Sequence, residues 1–194
     1  MADIDEYVIA KIKNKYIPYI KEKQYQLVSF KQIEEMKEII SEDFLLNQIM
    51  SKDYKYINHR YFEHPLYNYD YWKIVKDDGV SNSVLITREE CLGASKCCKI
   101  VDYYGDIDDF KYITKAIDEI MIKNNYEFVD IYSFGVDRSI YKNAGFVHCG
   151  NRHENIIPNY FHPFEQKNIE LKFANPMISG LRFFRGDGDQ DRPC

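Results

Sequence analysis

The sequence predicts a mixed α/β fold: an antiparallel meander, then a parallel crossover pair, in one sheet with flanking helices. Three observations predict it. From 72 to 104, apolar runs are separated by turn residues at hairpin distance. From 110 to 121, the apolar spacing becomes helical. A strand pattern at 128–132 then follows that helix, and a strand reached through a helix pairs in parallel with the strand before it.

Taken in order, residues 1–28 are Lys- and Tyr-rich with loosely spaced aliphatics, and Pro18 interrupts any long helix. Ser29 and Gln32 form a capping-box pattern. Ile33, Met36, Ile40 and Phe44 follow at helical spacing, giving a helix over 30–40 with a continuation to 50 left open. Residues 1–50 are thus expected to be a helical N-terminal arm on a single domain spanning 1–194. Asn58–Tyr69 reads as a turn of helix, stopped by Pro65, and an extended approach to a strand. Trp72–Val75 is the first strand of the meander, and Asp77-Asp78-Gly79 turns it. Ser83–Thr87 returns, Gly93-Ala94-Ser95 turns again, and Cys97–Tyr104 is the third strand. Phe110, Ile113, Ile117, Ile120 and Met121 share a helix face, with Asp108 and Asp109 favouring its N-terminal dipole. Lys123-Asn124-Asn125 ends it. Asp137 caps a short helix over 138–144, Gly145 closes it in the left-handed conformation, and Phe146–His148 begins a strand. Ile169–Phe173 and Gly180–Phe184 read as further strands, and 185–194 as loop.

The 194 residues suit one ordinary domain, and 45% hydrophobic residues suffice for a core. No apolar run reaches membrane-spanning length, and the acidic start lacks a signal-peptide core, so a cytoplasmic location is the default. Net charge is −5 with scattered lysines, which disfavours nucleic acid and suits a small amine. Cys91, Cys97, Cys98, Cys149 and Cys194 are odd in number and irregularly spaced, so they read as reduced, structural thiols.

The stretch 126–146 carries the most information. Ser139-Ile140-Tyr141-Lys142-Asn143-Ala144-Gly145-Phe146 places a tyrosine a few residues before a Gly-Phe pair, after a strand. With the strand order, it resembles the end of the GNAT N-acetyltransferase core, over roughly residues 70–150. Arg60-Tyr61, His64-Pro65 and the terminal Gly-Asp-Gly-Asp-Gln-Asp-Arg-Pro also resemble GNAT-type proteins of bacterial surface-sugar (surface-polysaccharide) gene clusters. The resemblance implies acetyl-CoA lying between parted strands 97–104 and 127–132, and direct attack by an amine, plausibly of a nucleotide-linked amino sugar. Tyr141 would protonate the departing thiolate, a task a phenol suits. The cofactor contacts it implies are Val101, Asp102, Tyr103, Gly105, Ser133 and Asn143. A homodimer is compatible with it. The Fem-type transferases share the core, but the missing basic patch counts against them.

One departure stands. The family's Gly-rich basic turn, whose N–H groups hold the pyrophosphate, is here Tyr104-Gly105-Asp106-Ile107-Asp108-Asp109. Three acids there would repel a pyrophosphate. Either CoA binds differently or weakly, or the fold is reused as a binding or partner module.

Other residues invite readings. Tyr141 is either a general acid or a packing tyrosine. Asp130, in an apolar strand, is either a buried base or, the favoured reading, on a solvated face. His59 and His64 are candidate acceptor-site bases. With His148, His153, Cys149 and Glu154 they lack tight metal-ligand spacing, so no metal is expected. Asp187, Asp189 and Asp191 imitate the start of a Ca²⁺ loop but no twelfth-position Glu follows, and the Arg-Gly-Asp at 185–187 reads as chance. The tail is either a solvated end or folds over the cleft and offers carboxylates to a substrate.

Overall fold

The computed structural model describes residues 2–9, 19–149, 172–173 and 179–188. Its strands are β1 (Ala2–Asp3), β2 (Asp5–Ile9), β3 (Gln26–Phe30), β4 (Asp70–Val75), β5 (Ser83–Leu92), β6 (Ser95–Gly105), β7 (Val129–Phe134), β8 (Val147–His148), β9 (Lys172–Phe173) and β10 (Phe183–Phe184). Its α-helices are α1 (Ile33–Ile39), α2 (Glu42–Leu46), α3 (Tyr54–Ile57), α4 (Thr114–Asn124) and α5 (Arg138–Asn143).

The main sheet runs β3-β4-β5-β6-β7-β2-β8, with β10 added to β7; β1 pairs with β9 separately. The meander β4-β5-β6 is antiparallel and β6-β7 is parallel, as the sequence predicts. The first meander turn forms because Gly79 supplies φ +80° and Asp78 accepts the Val80 N–H at 2.9 Å. Helix α4 makes the crossover. It buries Ile117 and Met121 one turn apart, each such side chain contributing roughly 1.5–3 kcal/mol. It stops at Asn125, which takes the left-handed conformation at φ 58°. Asp137 caps α5 through the Ser139 N–H, and Gly145 follows at φ 75°.

The N-terminal region departs from the expected helical arm. Residues 5–9 form a strand inside the sheet, paired antiparallel with both β7 and β8, and 26–30 form its far edge beside β4. Tyr7 and Ile9 point into the core and Val8 away, a period of two that five residues among acids and lysines hardly reveal. Ser29 is a strand residue, not a cap. Helix α1 begins after Gln32, whose N–H donates to Glu35 at 3.3 Å. The helical stretch then breaks at Ile40, and Ser41 restarts it by accepting the Phe44 N–H.

Two large cores cover the two faces of the sheet, with a small third cluster of Cys97, Phe128 and Tyr132 beside them. One gathers Ile74, Leu85, Ile100, Tyr103 and Ile131 with Ile117, Met121, Ile140 and Tyr141 of α4 and α5. The other gathers Phe30, Val84, Ile86, Val101 and Tyr104 with Met36, Leu45, Ile57 and Tyr61. Strand β6 changes phase between them. Ile86 pairs with Asp102 but Thr87 with Ile100, so Val101 is an extra residue, a β-bulge. Val101 and Tyr104 therefore share the second core, while Ile100 and Tyr103 share the first.

Candidate functional site

The bulge lies where β6 and β7 part. Their parallel pairing runs through Cys98–Val129, Lys99–Asp130 and Ile100–Ile131 and then stops. The chain itself fills the space beyond. Phe183 pairs with Phe134 and Phe184 with Ser133, so β10 lies along β7, and the 3₁₀ turn Arg185–Asp187 runs on inside.

Three anchors hold this segment. Arg185 lies 2.9 Å from Asp130 and over the Tyr132 ring, 3.6 Å from its centroid. Gly186 packs against Val101 and Tyr61, where a Cβ would overlap the Tyr61 hydroxyl. Asp187 accepts the Phe184 N–H at 2.8 Å and lies 2.6 Å from Lys52 Nζ. Asp130 is thus fully buried between Lys99 and Arg185, which corrects the solvated-face reading.

On the bulged face, Asp102 Oδ2 accepts from Lys52 at 2.8 Å, Tyr61 at 2.7 Å and Tyr104 at 2.6 Å. Its Oδ1 accepts the Tyr103 N–H. Tyr61 reaches inward from the π-helical turn Asn58–Phe62, a rephasing that is often functional. Lys52 Nζ also lies 5.1 Å above the Tyr104 ring. Burial opposes its charge, but Asp102, Tyr104 and Asp187 outweigh burial and hold its pKa well above the ordinary lysine value. Burial, and then the Asp102 charge, raise the Asp187 carboxyl above the usual carboxylate range.

The resemblance implies an acyl-CoA arm between β6 and β7 and its pyrophosphate at the 104–109 turn. The residues present do not fit that group. Residues 183–187 occupy the arm's place. At the turn, the Asp106 N–H donates to Ser83 Oγ, the Asp108 N–H to Asp106 Oδ1, and the Asp109 N–H to the Asp106 carbonyl. These donors are spent on the turn itself. The acids have partners of their own: Asp109 is buried against Ser83 and Lys76, and Asp108 pairs with Lys111. Gly105, at φ +108°, passes so close to the Asn82 carbonyl that no side chain fits there.

The sequence-predicted site residues divide. Tyr141 is fully buried in the α5 core and its hydroxyl donates to Ser133 Oγ at 2.9 Å. Burial pushes its pKa far above the ordinary tyrosine value. Val101, Asp102, Tyr103 and Gly105 line the bulged half of β6, and Ser133 holds Tyr141 while pairing with Phe184. Asn143 ends α5, where its carbonyl accepts the Ile20 N–H. His59 is exposed on the π-helical turn, and His64 Nδ1 accepts the Leu66 and Tyr67 N–H groups. His148 pairs with Asp5. His153, Glu154, Asp189, Asp191, Cys194 and most of the 169–173 strand lie outside the described residues. Burial raises the thiols of Cys98 and Cys149 to about 12, as suits unreactive cysteines.

Two cavities open at the C-terminal end of β6. A small one of about 40 Å³ is lined by Lys52, Asp102, Tyr104, Phe184 and Asp187. A wider groove of about 470 Å³ runs between Ile39, Ile40 and Phe44 on one side and Gly105, Asp106 and Ile107 on the other. Gly105, Phe44 and Arg182 border both.

No protein-family model matches the sequence, and no curated protein does. Among solved structures it is similar to a conserved protein of unknown function from Enterococcus faecalis, a probable N-acyltransferase, with TM-score 0.47 and 12% identity over 75% of this chain and 37% of that one. It is also similar to a GCN5-related N-acetyltransferase from Anabaena variabilis, with TM-score 0.46 and 7% identity over 77% and 38%. A Saccharomyces cerevisiae N-myristoyltransferase with bound myristoyl-CoA gives TM-score 0.41 and 12% identity over 75% and 47%. The chain spans less than half the length of each. Likenesses of this size leave the fold to rest on the chain's own topology. No helix among the described residues is long and apolar enough to cross a membrane.

Sequence reasoning missed Lys52 and Arg182, and treated Arg185 and Asp187 only as part of a tail. The signal for the last two was the option that the tail folds over the cleft. Lys52 sits in a polar stretch that gives no cue.

Proposed function

We propose that this chain is an acyltransferase-fold binding or partner module that does not take acyl-CoA between β6 and β7, and that it binds a small amine at the end of the cleft. The observation that carries the reading is the pairing of Phe183 and Phe184 with β7 inside the parted strands. Spent N–H donors and three acids at the 104–109 turn support it. Titration of the full chain with acetyl-CoA by calorimetry, with thermal melting alongside, tests it. Neither heat nor protection is expected up to millimolar concentrations. Saturable micromolar binding overturns it.

A second reading is favoured by the parting of β6 and β7 after Ile100 and Ile131 and by the Tyr141–Ser133 hydroxyl pair beside it. In this reading the domain is an acyl-CoA-dependent N-acyltransferase acting on a primary amine, plausibly of a nucleotide-linked amino sugar. The segment 183–187 then has to leave the cleft before a donor enters, and Tyr141 has to become accessible.

A further inference from the structure

An exposed apolar strip lies beside the filled cleft. Ile49 and Met50, shortly after α2, are 43% and 39% exposed, and with Phe44 they line the small cavity. Phe44 also lines the wider groove, together with Ile39, Ile40 and Ile107. The two openings share Phe44, Gly105 and Arg182, so one strip runs from Ile107 past Ile39 and Phe44 to Met50. Contiguous apolar surface with a polar rim marks an interaction site.

The rim is acidic. Asp106 lines the groove, Glu38 precedes Ile39, and Glu42 and Asp43 lie between Ser41 and Phe44 of its lining. All four acids are exposed, and none has an ion pair among the described residues. The neighbouring lysines are engaged, Lys37 with Glu34 and Lys111 with Asp108. In the small cavity Lys52 and Arg182 match Asp102 and Asp187, so they leave the rim charge uncompensated. The groove holds about 470 Å³, within the range of specific binding sites. It offers no ladder to an extended strand, because the N–H groups of Asp106, Asp108 and Asp109 are spent on the turn. A partner therefore enters by its side chains, as an amphipathic helix does.

We propose that this strip is the docking surface for a lysine-rich amphipathic helix of a partner protein. The partner's aliphatic side chains fill the groove between Ile39, Phe44 and Ile107 and cover Ile49 and Met50. Its lysines lie against Glu38, Glu42, Asp43 and Asp106. The rim charges speed its approach and make binding salt-dependent, while the apolar strip holds it. This rests on the partner-module part of the reading above. It needs neither acyl-CoA nor an ammonium group in the small cavity.

The test uses the isotope-labelled full chain and three peptides of equal length: a lysine–leucine peptide with leucines at helical spacing, its glutamate–leucine counterpart, and a lysine–serine peptide. The first is expected to shift the backbone amide signals of Ile39, Phe44, Ile49 and Ile107 saturably, and the other two not to. Ile49→Ser, and separately Glu38→Gln combined with Glu42→Gln, should each weaken it by about tenfold. These positions are exposed, so the variants are expected to fold. Binding of either control peptide at the same residues, no saturable response to the first, or unchanged binding in the variants overturns the proposal. So does self-association that moves the same signals without peptide, which would assign the strip to a second copy of the chain. Acetyl-CoA titration of the same sample separately decides the closed cleft: CoA binding there overturns that reading and leaves the peptide result intact.

Discussion

Arg185 and Asp130 meet between the parted strands, with Arg185 Nη2 2.9 Å from Asp130 Oδ1 and neither side chain accessible to solvent. The pair ties a turn near the end of the described chain to the middle of β7, and it converts an open cleft into a packed one.

Truncating one member of a buried ion pair leaves the other charge stranded. Arg185→Ala should therefore destabilise the protein by about 3–5 kcal/mol. Lys99, 3.3 Å from Asp130, compensates in part. Arg185→Lys should lose less, since it restores the charge but not the plane stacked on Tyr132. Urea denaturation measures both. An Arg185→Ala variant within about 0.5 kcal/mol of the parent would remove the anchor.

The segment and the acidic turn are separate obstacles to CoA, and Gly186 separates them experimentally. A valine at 186 would overlap the Tyr61 hydroxyl and crowd Val101, so Gly186→Val should expel residues 183–187. Limited proteolysis within 179–188 would report the expulsion. Because the Asp106, Asp108 and Asp109 N–H groups remain spent, the opened variant is still expected not to bind acetyl-CoA in calorimetry. Binding that appears only in Gly186→Val would instead favour the acyltransferase with a displaceable segment.

How much of this was legible in the sequence differs by element. The meander, the crossover helix and the Asp137-capped α5 carry local signals: period, caps and glycine turns. β2 was not legible because its place is set by pairing with β7, some 120 residues away, and its own alternation is only Tyr7 and Ile9. The bulge at Val101 was not legible either, since apolar residues on both sides of β6 hide a change of phase. It decides the chemistry nonetheless. Strict alternation would put Asp102 on the face of Ile100, away from Lys52 and Tyr61. Asp130 reads as solvent-facing only while its partner Arg185, 55 residues on, is assigned to a loop.

Asp102 should be the most sensitive position of the network. Asp102→Asn can keep its one acceptor oxygen for Lys52, Tyr61 and Tyr104, but it then turns an amide N–H toward the Tyr103 N–H and removes the charge that faces Lys52. A loss of about 3 kcal/mol or more is expected. Tyr61→Phe removes one donor of the three and should cost about 1 kcal/mol. Because the two residues touch, a double-mutant cycle should show non-additivity of about 0.5 kcal/mol or more, and strict additivity would argue against a shared network.

Asp187 gives the pH dependence. Burial, and then Asp102, raise its folded pKa above the ordinary aspartate value. For an acid raised on folding, the native state binds more protons than the unfolded state between the two pKa values. Stability from this group is therefore complete below the unfolded pKa and falls as pH climbs through the folded one. Asp187→Asn cannot ionise and lacks that loss. The melting temperature of the parent should drop relative to Asp187→Asn as pH rises from about 4, whatever the other groups contribute, since they are common to both proteins. Parallel melting curves across that range would mean that the Lys52 ion pair offsets the burial of Asp187 in full.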